Sequence, residues 1–515
     1  MSHSLSLQAF HPYACATSPL RTVLALGCTL LALAGCGGGS SSDTPSPPPP
    51  APLAAPANFS VELGNIEYLR WEATPGATRY ELHADPDGSG PLPEARLPDF
   101  DRSTGTGFNY VNVGPTGVEG NIYGLDVLSL VARLNASYRL RACDVNGCGT
   151  FTEARSLDVV KSLSRDFPSG RAPLQSSTGG DSGPRLSQDG LTLVLRSPSA
   201  NAADSVVYVF TRASSTQPWE QQAVLRNGKA QFGTQAALSA DGGTLAVLGA
   251  EPLGEATSPT QSVVYLYQRN GSVWNPQGQV QAPSAPAACT QPCNTSLGFL
   301  MALSSDGSVL AASANFSTAA GVGATLVGSV ATYTRAAGVW SAQSVLASGG
   351  PTVLSLARSA DGSTLAMNEG GWRLGDARAS STPAVRVFAR QGNGSWTQQV
   401  RLAVGIVSII DIFGWVTSDL ALSGDGSTLA VHATNVPGHP TAALDIQPSD
   451  LTCPGLASDG WYIGLYARTG GAWKRQAVVS RGLSGSWALA SDGNALSYGN
   501  ALFTRSTGGS AWACP

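Results

Sequence analysis

The sequence predicts an all-β protein in which a small β-sandwich precedes a ring of repeated four-stranded sheets. Three observations predict it. The 515 residues include 60 Gly and 33 Pro but only 12 % charged side chains, a composition that suits short strands joined by turns and lacks the Glu, Lys and Arg of surface helices. Polar and apolar residues alternate in short runs between 57 and 160, and an Asp-Gly-centred string then recurs six times between 161 and 515. A chain of this length exceeds one compact core, so several domains are expected. The formal net charge of −4 argues against a nucleic-acid surface, which needs clustered basic residues.

Residues 1–35 read as an export signal. Arg21 precedes an apolar run from Thr22 to Ala34, shorter than the ~20 residues that cross a bilayer core as a helix. The run ends Leu33-Ala34-Gly35-Cys36, which resembles the bacterial lipobox. That resemblance implies that Cys36 is the mature N-terminus, acylated on sulfur and on its new amine, with each buried methylene contributing ~0.8 kcal/mol of anchoring. Gly37 rather than Asp follows it, which implies the outer membrane. Residues 36–56 pass from Gly/Ser to Pro and form a tether with reach.

Of nine cysteines, Cys15 and Cys28 leave with the signal and Cys36 carries lipid, so Cys143, Cys148, Cys289, Cys293, Cys453 and Cys514 remain. An even remainder suits an oxidising compartment. Proximity pairs Cys143 with Cys148, Cys289 with Cys293 and hence Cys453 with Cys514. Metal ligation is disfavoured, because paired C-x-x-C spacing and nearby His are missing.

Residues 57–160 alternate as half-buried strands do, in Tyr68-Leu69-Arg70-Trp71, Tyr80-Glu81-Leu82-His83 and Tyr138-Arg139-Leu140-Arg141-Ala142-Cys143. An early Trp and a late Tyr-x-Leu-x-Ala strand resemble a fibronectin type III module, a family that spaces or binds. Residues 84–120, rich in Pro, Gly and Asp, are left unassigned. Asp85-Pro86-Asp87-Gly88 looks like the start of a calcium loop but lacks the closing Glu, and is read as a turn.

From 161 onward the repeated string has its Asp at Asp189, Asp241, Asp306, Asp361, Asp425 and Asp492, with Gly next and Leu four places after. Downstream in each copy an aromatic precedes Arg by two, giving Arg212, Arg269, Arg335, Arg390, Arg468 and Arg505, and a Trp follows. Asp-Gly between apolar runs marks a hairpin, since Gly accepts positive φ and Asp bonds back to its own backbone. A two-residue loop would set Leu238 opposite Leu245 and Ser239 opposite Thr244, whereas a bulged three-residue loop would shift the register by one. Val206–Phe210 and Glu220–Leu225 supply a third and a fourth strand, which makes each unit a propeller blade. Only three residues follow Trp512, so the sixth unit is expected to lack its fourth strand. Residues 157–175 would fill it, with Cys453–Cys514 pinning the C-terminus.

Phe232-Gly233-Thr234-Gln235-Ala236-Ala237-Leu238-Ser239-x-Asp241-Gly242 resembles the FG-GAP repeat of integrin α-subunit propellers, and Phe413-Gly414 partly repeats it. The resemblance implies a propeller over about 170–515, six-bladed on the repeat count and alternatively seven-bladed as in that family. Its calcium loops carry several carboxylates, whereas each loop here keeps one, so no metal is assigned. The repeated Asp are read as turn formers. The repeated Arg, placed alike in every blade, are read as structural, stacking on Trp or bonding neighbouring carbonyls.

No catalytic constellation emerges and no cofactor is assigned. Gly180-Asp181-Ser182-Gly183-Pro184 resembles a serine-protease nucleophile segment with nothing upstream to support it. Of the three mature-chain histidines, His83 belongs to the first domain, while His432 and His439 read as surface loop residues. Trp372, Trp415, Trp461 and Trp487 lie outside the repeat position and are candidates for an exposed binding face. Asp411 and Asp419 also stand outside the repeat pattern, as candidates for carboxylate chemistry. The expectation is a non-enzymatic outer-membrane lipoprotein whose propeller binds an unknown protein or glycan, with membrane lipid as a partner through Cys36 and no nucleic acid. The alternatives are a propeller enzyme acting on an envelope or extracellular polysaccharide, and a subunit organising an envelope complex.

Overall fold

The computed structural model describes residues 51–63, 67–88, 93–103, 105–113, 116–123, 134–156, 177–178, 184–197, 201–252, 260–283, 293–318, 326–348, 352–353, 355–368, 384–403, 419–434, 461–480, 487–498, 501–505 and 511–514. By its internal contacts the chain divides into two units, Met1–Ala51 and Pro52–Pro515. Residues 1–50, which include the stretch expected to be an export signal, Cys36 and most of the expected tether, lie outside the described residues.

The second unit is all-β, and opens with a sandwich of two antiparallel sheets. Its strands are β1 (Ser60–Leu63), β2 (Glu67–Glu72), β3 (Arg79–Asp85), β4 (Ala95–Arg96), β5 (Gly107–Val113), β6 (Gly117–Tyr123), β7 (Ser137–Asp144), β8 (Gly147–Phe151) and β9 (Arg155–Ser156). One sheet runs β1-β2-β6-β5 and the other β4-β3-β7-β8, with β9 also on β7. This strand order is that of immunoglobulin-like sandwiches. Period-2 alternation puts Tyr80, Leu82 and Ala84 of β3, and Tyr138, Leu140 and Ala142 of β7, into a core around Leu69 and Trp71. The Trp71 ring meets Tyr80 edge-on at 5.2 Å. Strands β4 and β5 occupy the stretch that sequence patterning leaves unassigned, and Asp85–Gly88 is a turn in which Asp85 Oδ1 accepts the Gly88 N–H at 3.1 Å.

Among the described residues six sheets of a β-propeller follow, each with four strands in chain order. They comprise β11–β14 (Arg185–Leu186, Thr192–Ser197, Val206–Thr211, Glu220–Leu225) and β15–β18 (Ala236–Leu238, Thr244–Pro252, Thr260–Asn270, Val273–Gln281). Next come β19–β22 (Cys293–Leu303, Val309–Thr318, Leu326–Ala336, Val339–Ala347) and β23–β26 (Ser355–Arg358, Thr364–Asn368, Ala384–Arg390, Trp396–Ala403). The last two are β27–β30 (Leu420–Leu422, Thr428–Thr434, Trp461–Thr469, Ala472–Ser480) and β31–β34 (Trp487–Leu489, Ala495–Tyr498, Ala501–Arg505, Trp512–Ala513). Every pairing within them is antiparallel and sequential.

A blade has two apolar faces and cannot bury either alone, so successive blades share cores. Five such layers separate the sheets in chain order, the second-to-third layer, for example, joining Leu248, Val264 and Leu266 to Leu310, Phe316 and Tyr333. The outward face of the first sheet, with Leu193, Leu195, Tyr208, Phe210 and Trp219, belongs instead to the sandwich core cluster. First strands are buried throughout in the first, second, fourth and fifth sheets, while fourth strands such as β18 and β22 alternate with solvent, so the first strands are innermost.

One expectation changes. The sixth sheet does have a fourth strand, because Trp512 and Ala513 pair with Arg505 and Thr504. The repeat Trp starts the fourth strand opposite the motif Arg, as in Arg269↔Trp274 and Arg335↔Trp340, so the strand needs nothing from elsewhere. Residues 157–175 lie outside the described residues; the adjoining β10 (Ser177–Thr178) pairs with Leu356 and Ser355 on the free inner edge of β23, in the fourth sheet.

The hairpin register is Leu238↔Leu245, the two-residue alternative, and the Ser239 N–H donates to Thr244 O at 2.9 Å. The turn closes from Gly242 N–H to Ser239 O at 2.9 Å, and Gly242 stands at φ 66°, a left-handed conformation that Gly adopts without a Cβ penalty.

Candidate functional site

The two ends of the propeller differ in kind. At the end carrying the Asp-Gly turns, each Asp is used by its own turn. Asp241 Oδ1 accepts from Ser239 Oγ at 2.5 Å and from Gly243 N at 2.8 Å, and Ser239 Oγ accepts the Thr244 N–H at 2.8 Å. Asp189, Asp361 and Asp425 repeat the Ser bond at 2.5, 2.6 and 2.6 Å, while Asp306 and Asp492 accept Ser308 N and Asn494 N at 3.0 Å. Adjacent turns are spliced by Gln188 N to Ala240 O (2.9 Å), Asp241 N to Ser305 O (3.0 Å), Ser305 N to Ala360 O (2.8 Å), Ala360 N to Gly424 O (2.7 Å) and Gly424 N to Ser491 O (2.6 Å).

The motif aromatic sits at a register shift between third and fourth strands in five sheets, for example at Val209/Phe210 and Leu465/Tyr466. Such bulges re-aim the residues after them. Arg212, Arg335 and Arg505 lie over Trp219, Trp340 and Trp512 at 4.4, 5.9 and 5.4 Å. Arg212 Nε donates to Gly190 O at 3.0 Å, Arg269 reaches back to Thr192 Oγ1 of the preceding sheet at 3.1 Å, and Arg505 to Thr428 Oγ1 at 2.6 Å. Arg390 and Arg468 stand opposite Trp396 and Trp473 in register. This end is committed to holding blades together.

At the opposite end the second strands finish and the third strands begin, and the number of residues between them differs from blade to blade. Where first strands begin and second strands finish there, side chains leave the repeat pattern and turn polar. Arg196 NH1 donates to Thr234 O at 2.5 Å, Asn368 Oδ1 accepts Ser355 N at 2.9 Å, Ser313 Oγ accepts Leu300 N at 3.0 Å, and Asp419 O accepts His432 N at 2.9 Å. Lys229 Nζ and Tyr265 OH both donate to Glu251, at 2.6 and 2.7 Å. Hydrogen bonds from Lys229 and Tyr265 hold the Glu251 carboxyl below its usual range.

His432 is corrected from the loop reading. It lies in β28, is 8 % exposed, and has the Trp487 and Tyr498 rings 5.9 and 6.0 Å away. Trp487, expected on an exposed face, packs partly buried against the fifth-to-sixth core. Burial pushes the Asp419 carboxyl up to about 6, a range in which it can hold or release a proton near neutrality. Asp411, His439, Trp372, Trp415, Phe413-Gly414 and residues 180–183 lie outside the described residues, as does the side chain of Trp461.

Cys143 and Cys148 are joined by a disulfide across the β7–β8 hairpin. Glu81 approaches both sulfurs, but a disulfide offers no thiolate, so this trio is not a metal set. Cys514 is disulfide-bonded; Cys289 and Cys453 lie outside the described residues, and of Cys293 only the backbone is described.

The outer face of the second sandwich sheet collects charge from β3, β4 and β7. Glu81 bonds Arg79, Arg141 (2.6 Å) and Arg96 (3.6 Å), and Glu94 meets His83 at 3.5 Å and Arg139 at 3.8 Å. Burial works against the Glu81 charge, yet hydrogen bonds from Arg79 and Arg141 outweigh it and hold the carboxyl at about 2. Desolvation, and then the Arg141 charge, keep His83 below its ordinary value. The alternation that predicts β3 and β7 already places these residues on one face; the pairing Glu81↔Arg141 and His83↔Arg139 is what brings them together.

No protein-family model and no curated protein matches the chain. Among solved structures it is similar to a protein from Lactobacillus plantarum (14 % identity, TM-score 0.29, 68 % of this chain and 86 % of that one). It is also similar to a putative TolB from Agrobacterium tumefaciens (14 %, 0.28, 58 % and 81 %) and to the β-propeller domain of the Trilobed protease from Pyrococcus furiosus (8 %, 0.30, 88 % and 94 %).

Proposed function

We propose that this chain is an outer-membrane lipoprotein, anchored through acylated Cys36, whose FG-GAP-like propeller is a binding or adhesion scaffold for a protein or glycan, spaced from the membrane by a fibronectin III-like module. The observation that carries the reading is the asymmetry of the blades. One end is built from six like turns whose polar groups are consumed by each other, while at the other the stretches of sequence between second and third strands differ in length, from 499–500 to 435–460. Loops of varied length on a rigid scaffold are where recognition is usually placed. The test is capture from envelope extracts and glycan arrays by the intact protein, set beside variants in which 369–383 or 435–460 is replaced by a short Gly/Ser linker. Loss of capture with unchanged melting supports the reading; retained capture by both variants overturns it. Mass spectrometry of the wild type and of Cys36→Ser reads the anchor separately.

A polysaccharide-acting enzyme is the second reading, favoured by Asp419, a largely buried carboxyl whose burial pushes it up to about 6. Glycoside cleavage uses two carboxyls, so turnover of envelope polysaccharide that Asp419→Asn abolishes would replace the scaffold reading.

A further inference from the structure

We infer that Asn270 is a self-modification site, an asparagine that the fold leaves open to deamidation while it protects the chain's other residues of the same kind. The sequence holds four Asn-Gly pairs, Asn146-Gly147, Asn227-Gly228, Asn270-Gly271 and Asn393-Gly394. In such a pair the glycine amide nitrogen can reach the asparagine carboxamide, because no Cβ on the following residue stands in the way. The four are alike as dipeptides, so the hydrogen bonds of each turn decide which one reacts.

Three of the pairs are tied up. Asp144 Oδ1 accepts the Gly147 N–H at 3.0 Å and the Asn146 N–H at 2.7 Å, and Asp144 Oδ2 accepts Asn146 Nδ2 at 3.2 Å. One acid thus holds both the attacking nitrogen and the carboxamide. Asn393 Oδ1 accepts from Ser395 N at 3.0 Å and from Ser395 Oγ at 2.7 Å, while the Gly394 N–H donates to Gln391 O at 2.9 Å. Asn227 Oδ1 accepts the Lys229 N–H at 2.9 Å, and its Nδ2 is buried away from the water that the reaction consumes.

Asn270 differs on each count. It ends β17 opposite Val273, so Gly271 and Ser272 form a two-residue loop, and all four residues are exposed. Among the described residues neither the Asn270 carboxamide nor the Gly271 N–H has a hydrogen-bond partner. The space around Gly271 is open, since a Cβ there would meet nothing within 4 Å.

The step needs only water. The Gly271 amide nitrogen gives its proton to hydroxide and bonds to Asn270 Cγ; the Cγ–Nδ2 bond breaks, and Nδ2 takes up a proton and leaves as ammonia. Water then adds to one of the two carbonyls of the resulting imide, opening it to aspartate or to isoaspartate. Either product places a carboxylate beside Arg269, which reaches Thr192 Oγ1 of the preceding sheet at 3.1 Å. Isoaspartate also lengthens the loop backbone by a methylene. The change therefore falls where the first two blades are fastened.

The test incubates the purified full chain at mildly alkaline pH in heavy-oxygen water, which labels each new carboxyl, and follows the four peptides by mass spectrometry. Each hydrogen bond that must break first slows attack about fivefold, so Asn270 is expected to convert at least ~fivefold faster than any of the other three. In urea that lead should vanish. Asp144→Ala should bring Asn146 up to the Asn270 rate, while Asp144→Asn, which still accepts, keeps it slow. A smaller native lead, or one that persists in urea and so belongs to local sequence, overturns the inference. An Asn146 rate indifferent to Asp144→Ala overturns it as well.

Discussion

Asn135 and Trp219 exchange two hydrogen bonds across the junction between sandwich and first blade: Trp219 N donates to Asn135 Oδ1 at 2.8 Å, and Asn135 Nδ2 to Trp219 O at 2.9 Å. The side-chain amide thus behaves as a one-residue strand, satisfying both backbone groups of a buried residue. The Trp219 ring meanwhile carries Arg212 at 4.4 Å, so one residue joins the sandwich to the blade grammar.

Asn135→Ala removes both bonds and leaves a buried N–H and C=O without partners. A loss of about 2 kcal/mol is expected, measured by urea unfolding, with Asn135→Asp losing less because it still accepts from Trp219 N. A midpoint equal to the wild type would show that the junction is not held here.

Gly242→Ala and Gly271→Ala separate backbone strain from packing. Both glycines have positive φ, 66° and 60°, and either substitution costs about 1 kcal/mol for that reason. A Cβ at Gly271 meets nothing within 4 Å, whereas one at Gly242 would stand 2.6 Å from Thr192 Oγ1 of the preceding blade. Gly242→Ala should therefore lower the unfolding free energy beyond Gly271→Ala, by a further ~2 kcal/mol, read as a lower midpoint in urea.

Arg358→Leu is expected to stabilise the protein. The other five copies have Leu at this place, Leu186, Leu238, Leu303, Leu422 and Leu489, while the Arg358 guanidinium is buried, and its Nε and NH1 make no hydrogen bond. Burial lowers its pKa to about 9, against the pull of Asp306 and Asp361. The unfolded chain binds that proton more tightly, so the penalty is complete at neutral pH and is relieved only as pH rises from about 9 towards 12.5. Leu should gain about 1–3 kcal/mol at pH 7, read as a higher midpoint in guanidinium chloride.

Glu81 and Asp419 give opposite acid limbs. The Glu81 carboxyl falls from 4.5 to about 2 on folding, so its contribution is whole above pH 4.5 and vanishes as pH drops through about 2; Glu81→Gln should lose about 3 kcal/mol at pH 7 and nothing at the acid extreme.

Asp419 rises from 3.8 to about 6 on folding, through burial. Stability tied to its neutral form is present below pH 3.8 and lost as pH climbs through about 6. Asp419→Asn should thus gain about 2 kcal/mol at pH 7 and none at pH 3.5, a difference visible in paired thermal scans. An unchanged difference between the two pH values would remove Asp419 as a group retained against stability.

What the sequence by itself determined is whatever a few neighbouring residues can dictate. The Asp-Gly turns were legible because Asp241 bonds its own loop and Gly242 supplies the positive φ, and the blade strands because alternation and spacing are local. The sixth blade misled because the strand role of Trp512 depends on facing Arg505, a pairing across a hairpin that composition does not spell. Only the tertiary structure decided that His432 is buried beside Trp487 and Tyr498, that Arg358 sits between turn carboxylates of two blades, and that arginines from three strands gather over Glu81. Those contacts join residues dozens to hundreds of positions apart, and their energies come from burial and strand register, which exist only once the sheets have packed.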